Sequence, residues 1–110
     1  MLHDRFVARV WRGATRAQDG DRYLAYLCET GLADYARTPG HRSTLTLRHI
    51  DGERAEFLLV TIWESMDAVR AFAGADTERA VFYPTDDRYL IERDQCVTHY
   101  EVVDHQQGTP

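Results

Sequence analysis

The sequence predicts an α+β domain of order β-α-β-β-α-β, the split pattern of the ferredoxin-like fold, an antiparallel sheet with its helices on one face. Three observations carry this. Runs rich in β-branched and aromatic residues, bounded by turn residues, mark four strands. Asp51-Gly52 stands between two of them as a hairpin signal. Two amphipathic stretches at helical spacing separate the remaining pairs. A length of 110 residues suits one domain, here 1–104, with 105–110 as a polar tail.

Phe6-Val7-Ala8-Arg9-Val10-Trp11-Arg12 reads as the first strand, stopping at Gly13. Thr15 and Gln18 fit a capping box, with Asp19 as a second N-cap. Tyr23, Leu24, Leu27 and Cys28 form the apolar stripe of a helix over 21–30, with Cys28 a small core residue. Gly31 fits a left-handed helix stop, and 32–37 a further helical turn before Pro39-Gly40.

The second strand covers 41–49 and the third 55–63. A two-residue turn at Asp51-Gly52 sets Leu45 opposite Leu58 and Thr46 opposite Phe57. Ser65 is a good N-cap for a helix carrying Met66, Val69, Phe72 and Ala73, which Gly74 ends. Asp76 caps another short helix that Pro84 stops, and Thr85 caps a third piece through Leu90. The fourth strand spans 96–103.

The third strand, Phe57-Leu58-Leu59-Val60-Thr61-Ile62-Trp63, is apolar on both sides. Two helices cover one face only. The other would leave Leu45, Leu58, Val60 and Ile62 in water, forfeiting on the order of 6–12 kcal/mol at roughly 1.5–3 kcal/mol per side chain, against a whole-domain stability of about 5–15 kcal/mol. A homodimer closed sheet to sheet is the simplest remedy. The opposite face mixes Thr44, Thr46, Phe57, Leu59, Thr61 and Trp63. Hydroxyls among aromatics suit the lining of a pocket for a small hydrophobic or aromatic ligand, although threonines also serve β propensity alone.

Composition excludes several classes. There are 13 basic residues, all Arg, against 18 acidic ones, a formal charge of −5, so no basic face for nucleic acid is expected. Without Lys there is no P-loop and no Schiff base; without Asn, no Cys-His-Asn triad. No apolar stretch approaches membrane-spanning length. Met1–Arg5 leads into a strand without a signal-peptide core, and two distant cysteines, Cys28 and Cys96, suit a reduced, cytoplasmic protein. The five histidines lack metal-ligand spacing, so no metal site is expected.

Thr61-Ile62-Trp63-Glu64-Ser65, an apolar strand ending in Trp-Glu-Ser before an amphipathic helix with Phe72, resembles the antibiotic biosynthesis monooxygenase family, small proteins of the dimeric α+β barrel class. The run from Ala71 to Pro84 and the final Thr98-His99-Tyr100-Glu101 extend the resemblance over residues 6 to 103. It implies a dimeric α+β barrel and, in cofactor-free members, oxidation of electron-rich phenols or quinols. There the substrate is deprotonated, its anion passes an electron to O₂, and oxygen adds to a ring carbon. Trp63 matches the tryptophan that lines the pocket in several members, while their accompanying asparagine has no counterpart here. Haem degraders of the family carry a ligating histidine after the second helix. The nearest position here is Phe82, beside Tyr83, which argues against haem degradation, although a tyrosine can ligate iron.

The candidate catalytic residues are His99, Trp63 and Arg9. Trp63 is either pocket wall or plain core. His99, in mid-strand, is a base if it faces the cavity and otherwise a hydrogen-bonded structural residue. Arg9 either holds a substrate oxyanion or pairs with a carboxylate across the sheet, the commoner arrangement. Phe72 and Tyr83 join the five pocket residues Thr44, Thr46, Phe57, Leu59 and Thr61 as substrate contacts. Asp86-Asp87 suits acid/base chemistry or a metal, but helix N-terminal carboxylates more often serve capping and the dipole. The expectation is a cofactor-independent monooxygenase acting on an aromatic or polycyclic small molecule, with no cofactor. The alternative is a non-catalytic small-ligand or haem-binding accessory protein on the same scaffold.

Overall fold

The computed structural model describes residues 6–109. Met1–Arg5 and Pro110, on which the leader and tail readings partly rest, lie outside the described residues. The first strand, β1 (Val7–Arg16), runs straight through Gly13, where a stop was expected. Gly13 serves close approach rather than a turn. A Cβ there would stand 2.3 Å from the tip of the Trp11 indole, two residues back on the same face. The indole is fixed by its Nε1–H, which donates to the Asp94 carbonyl at 2.9 Å. The expected capping box is absent for the same reason. Thr15 is still in the strand, and no side chain caps the helix that follows the 3₁₀ turn Ala17–Asp19.

Helix α1 (Gly20–Glu29) turns Gly20, Tyr23 and Leu27 inward. Cys28, about 100° further round, is exposed rather than in the core. Gly31 does not take the left-handed conformation. The chain kinks at Thr30 and Gly31 opens α2 (Gly31–Arg37), buried where an added Cβ would stand 3.7 Å from the Tyr83 ring.

Strands β2 (His41–Asp51) and β3 (Arg54–Trp63) form the expected hairpin, but its loop is Gly52-Glu53. Gly52 supplies the single positive φ, +61°, as the first loop residue of a type II′ turn requires. Leu45 therefore faces Val60 and Thr46 faces Leu59. The displacement is two residues, so every side chain keeps its face. Ser65 caps α3 (Met66–Ala73) by accepting from the Ala68 N–H at 3.2 Å, and Gly74, φ +88°, ends it.

No helix begins at Asp76. The backbone of 78–80 instead lies antiparallel to 95–97, with Ala80 N–H donating to the Gln95 carbonyl (2.9 Å) and Val97 N–H to that of Glu78 (2.8 Å). The short α4 (Asp86–Tyr89) is present, but Leu90 leaves it to start an unforeseen strand, β4 (Leu90–Arg93). The last strand, β5 (Thr98–Glu101), is shorter than expected. Both β4 and β5 pair antiparallel with β1, at Gly13–Thr15 and Val7–Val10 respectively. One edge strand is thus split where 95–97 turns aside to meet 78–80. The sheet order is β2-β3-β1-β4 with β5 also on β1, the ferredoxin-like α+β arrangement.

Along β3, Ala55, Phe57, Leu59, Thr61 and Trp63 are buried, and the residues between them are not. Tyr23 of α1 packs on Phe57, and Tyr35 of α2 and Phe72 of α3 pack on Trp63. All the helical contacts named here are on this inner face. The outer face leaves Leu45 58% and Tyr100 56% exposed.

Candidate functional site

Arg9 occupies the middle of the inner face. Strand β1 is central, so Arg9 has Thr61 of β3 on one side and His99 of β5 on the other. It is 4% exposed, and burial lowers its pKa from the ordinary guanidinium value. Nη1 donates to the Thr77 carbonyl at 2.6 Å, and Nη2 donates to the Arg79 carbonyl at 3.0 Å. The Phe72 ring centre is 5.9 Å from the guanidinium carbon. The carboxylate expected across the sheet is not there: among the described residues Arg9 has backbone oxygens and a histidine as partners.

That histidine is His99, whose Nε2 lies 3.0 Å from Arg9 Nη1. A guanidinium can only donate, so Nε2 must accept and the proton must sit on Nδ1. Burial first, and the Arg9 charge second, push the His99 pKa below its ordinary value.

A small cavity of about 30 Å³ opens beside Arg9, between the inner face and the helices. Five of the residues selected from the sequence line it: Arg9, Leu59, Thr61, Phe72 and Tyr83. The others stand off it. Trp63 is fully buried behind the wall, donating from Nε1 to Thr61 Oγ1 at 2.8 Å and covered by Phe72, Tyr35 and His41. Phe57 packs on Tyr23 at the far end of the strand. Thr44 is hydrogen-bonded to His41 at 2.7 Å, and Thr46 is on β2, one strand further out. His99 touches the cavity only through Arg9.

Two further lining residues carry ionisable groups: Tyr35, which sequence reasoning missed, and Asp86, which it read first as a cap. Tyr35 of α2 stands edge-on to Phe72, ring centres 4.7 Å apart, and burial raises its phenol pKa while Arg9 opposes that rise. It sits in a stretch too short to show a periodic pattern. Asp86 is 4% exposed, with its carboxyl pKa raised by burial. Its Oδ2 accepts the Tyr83 N–H at 2.7 Å, so it does cap a turn, as its position after Pro84-Thr85 suggested, while also facing the cavity. No sequence signal separates the two roles. Tyr83 itself donates its hydroxyl to Asp34 Oδ2 at 2.5 Å, and its pKa is raised by burial and by that carboxylate. Among the described residues no group of three or more His, Cys, Asp or Glu is placed to hold a metal, and no helix is long and apolar enough to cross a membrane.

No family model matches the sequence, and no curated protein matches it. Solved structures do. A protein from Bacillus cereus, described as a putative antibiotic biosynthesis monooxygenase, superposes with a TM-score of 0.68 at 11% identity, over 94% of this chain and 99% of that one. The chain has the antibiotic biosynthesis monooxygenase fold. The same fold is found in MhuD, a haem degrader from Mycobacterium tuberculosis solved with two haems in its active site (TM-score 0.60, 23% identity, 92% and 99% covered). It is found too in SnoaB, a cofactor-independent oxygenase from Streptomyces nogalater (0.57, 20%, 94% and 96%). Antibiotic biosynthesis monooxygenase-fold proteins therefore include at least two chemistries, and the fold does not choose between them.

Proposed function

We propose that the protein is a cofactor-independent monooxygenase. It oxidises an aromatic or polycyclic phenol bound on the inner face of each subunit of a homodimer. The observation that carries this is Arg9: a buried cation with no carboxylate partner among the described residues, set against an aromatic wall. Such a group stabilises a phenolate far better in this setting than in water.

In this reading the substrate carries a phenolic hydroxyl conjugated to a reactive CH₂, as in anthrones. Asp86, made more basic by burial, removes the proton, and Arg9 holds the resulting oxyanion. The anion passes one electron to O₂, and recombination forms a C–O bond at the CH₂ carbon. One oxygen atom stays as a ketone. The other leaves as water with the two hydrogens that the carbon loses, so the substrate supplies every electron. His99 acts as a positioning residue that keeps Arg9 in place, and Trp63 as the backing of Thr61 and Phe72. The outer face, with Leu45 and Tyr100 more than half exposed, packs on that of a second copy.

A haem fits these residues poorly. Among the described histidines, His99 spends Nε2 on Arg9 and His41 is tied to Thr44; the connection 74–85 has none, and Tyr83 spends its hydroxyl on Asp34. The test is O₂ uptake with a panel of anthrones and quinols. Asp86→Asn keeps the carbonyl oxygen that accepts from Tyr83, and is expected to lower kcat about 10²–10⁴-fold. Lack of turnover across the panel, or full activity in Asp86→Asn, would remove this reading. A Soret band appearing at stoichiometric haem would favour the haem-binding alternative.

A further inference from the structure

A cavity of about 30 Å³ holds one water, whereas a benzene ring needs on the order of 150 Å³. Some wall must therefore move before an aromatic ligand enters. Most walls are ladder-paired strands or helices. The connection 74–85, which contributes Ala80, Val81, Phe82 and Tyr83 to the lining, has neither helix nor strand, and Val97, in the short link before β5, is bonded to it. The connection's ties are two backbone bonds to 95–97, Tyr83 N–H on Asp86 Oδ2 (2.7 Å), the Tyr83–Asp34 contact, Thr85 N–H on the Tyr26 hydroxyl (3.0 Å), Phe82 against Trp11 and Arg93, and the two carbonyls held by Arg9.

Resting on the reading of this cavity as a ligand site, we propose that Arg9 is also the catch that holds the connection 74–85 shut, and that a ligand releases it with an anionic oxygen, carboxylate or phenolate, which takes the guanidinium from the carbonyls of Thr77 and Arg79. A neutral carbonyl is a weaker partner for a buried guanidinium than an anion, whose hydrogen bonds are charge-assisted on both sides. The exchange also gives Arg9 a directly bonded countercharge in place of neutral partners. Freed of Arg9, Thr77 and Arg79 can turn to water, and the connection keeps only its outer ties. Ligand charge thus selects what opens the site: an aromatic of the same shape that cannot ionise leaves the catch closed, whereas a phenol releases it as its proton passes to Asp86.

The experiment compares 1-naphthoate with 1-naphthamide, and adds 4-nitrophenol as a phenolate probe, on the whole protein. Binding is followed by calorimetry, and opening by amide hydrogen exchange at Ala80 and Thr85, whose N–H groups are tied in the closed state. Naphthoate is expected to bind at least about tenfold tighter than naphthamide, a difference of about 1.4 kcal/mol, and to speed exchange at both amides severalfold. Arg9→Met is expected to lose the preference and to exchange quickly without ligand. Tight binding of naphthoate alone, or of nitrophenolate alone, identifies the preferred anion. Equal affinity for the neutral and charged naphthyl probes, slower exchange at Ala80 on binding, or no binding of either anion overturns the proposal. If Arg9→Met does not fold, the wild-type comparison decides by itself. Anion preference with faster exchange but no O₂ uptake would leave the catch standing and remove the oxygenase. O₂ uptake without anion preference would do the reverse.

Discussion

Arg9 and His99 stand directly opposite each other on adjacent strands, Nη1 to Nε2 at 3.0 Å, with the imidazole accepting. That contact exists only while His99 is neutral. Its pKa is lowered in the folded state, first by burial and then by Arg9. The unfolded chain, with an ordinary value near 6.5, therefore takes up the proton first as pH falls. The stability is complete above about pH 6.5 and is lost as pH drops from there through the folded-state value. His41, lowered by burial, acts in the same direction. The melting temperature is expected to fall between pH 7.5 and pH 5.5, and His99→Gln, whose amide oxygen can still accept from Arg9, to flatten that fall. A melting temperature independent of pH over this interval would contradict the neutral-acceptor assignment.

Gly13→Ala tests the close approach of Trp11. The new Cβ would overlap the indole and force it off the Asp94 carbonyl. A destabilisation of about 1–3 kcal/mol is expected, read as a lower urea midpoint with an altered tryptophan emission. A midpoint unchanged from wild type would mean that the indole has room elsewhere.

The outer face is tested at Leu45, which is 58% exposed and so contributes little to the core of one subunit. Leu45→Glu is expected to leave the fold intact by circular dichroism and to weaken the proposed dimer about 100-fold or more, which sedimentation velocity at micromolar protein would read as a single subunit. A wild-type protein that already sediments as one subunit would remove the dimer.

Tyr83→Phe deletes the hydroxyl bonded to the Asp34 carboxylate. A hydrogen bond to a charged group is worth about 1.5–3 kcal/mol, and here most of it acts locally. The expected result is faster proteolytic cleavage within 81–83, with a smaller change in global stability. An unchanged cleavage rate would show that the other ties hold the connection without this one.

Much of the fold was legible because β-rich runs, turn residues and helix caps are local signals along the chain. The face assignments of Leu45, Leu58, Val60 and Ile62 survive even where the hairpin loop moves by a residue, since the register shifts by two. Helix α3 was legible to the residue because Ser65 and Gly74 are local devices. The stretch 76–97, apart from α4, was not. Its backbone bonds join residues 15 and 19 positions apart, Ala80 with Gln95 and Glu78 with Val97, and an N-cap signal at Asp76 carries no weight against them.

For the candidate site, sequence pattern alone settled that Leu59, Thr61 and Trp63 share one face, because alternation along a strand is a property of the backbone, whereas the face that carries Arg9 and His99 was decided by the register of β1. Only the assembled molecule decided that Arg9 meets two loop carbonyls rather than a carboxylate, that Trp63 lies behind the wall rather than on it, and that Tyr35 and Asp86 face the same space. Those facts depend on how far each helix and connection stands from the sheet. That spacing is set by packing among residues distant in the chain, and no local pattern encodes it.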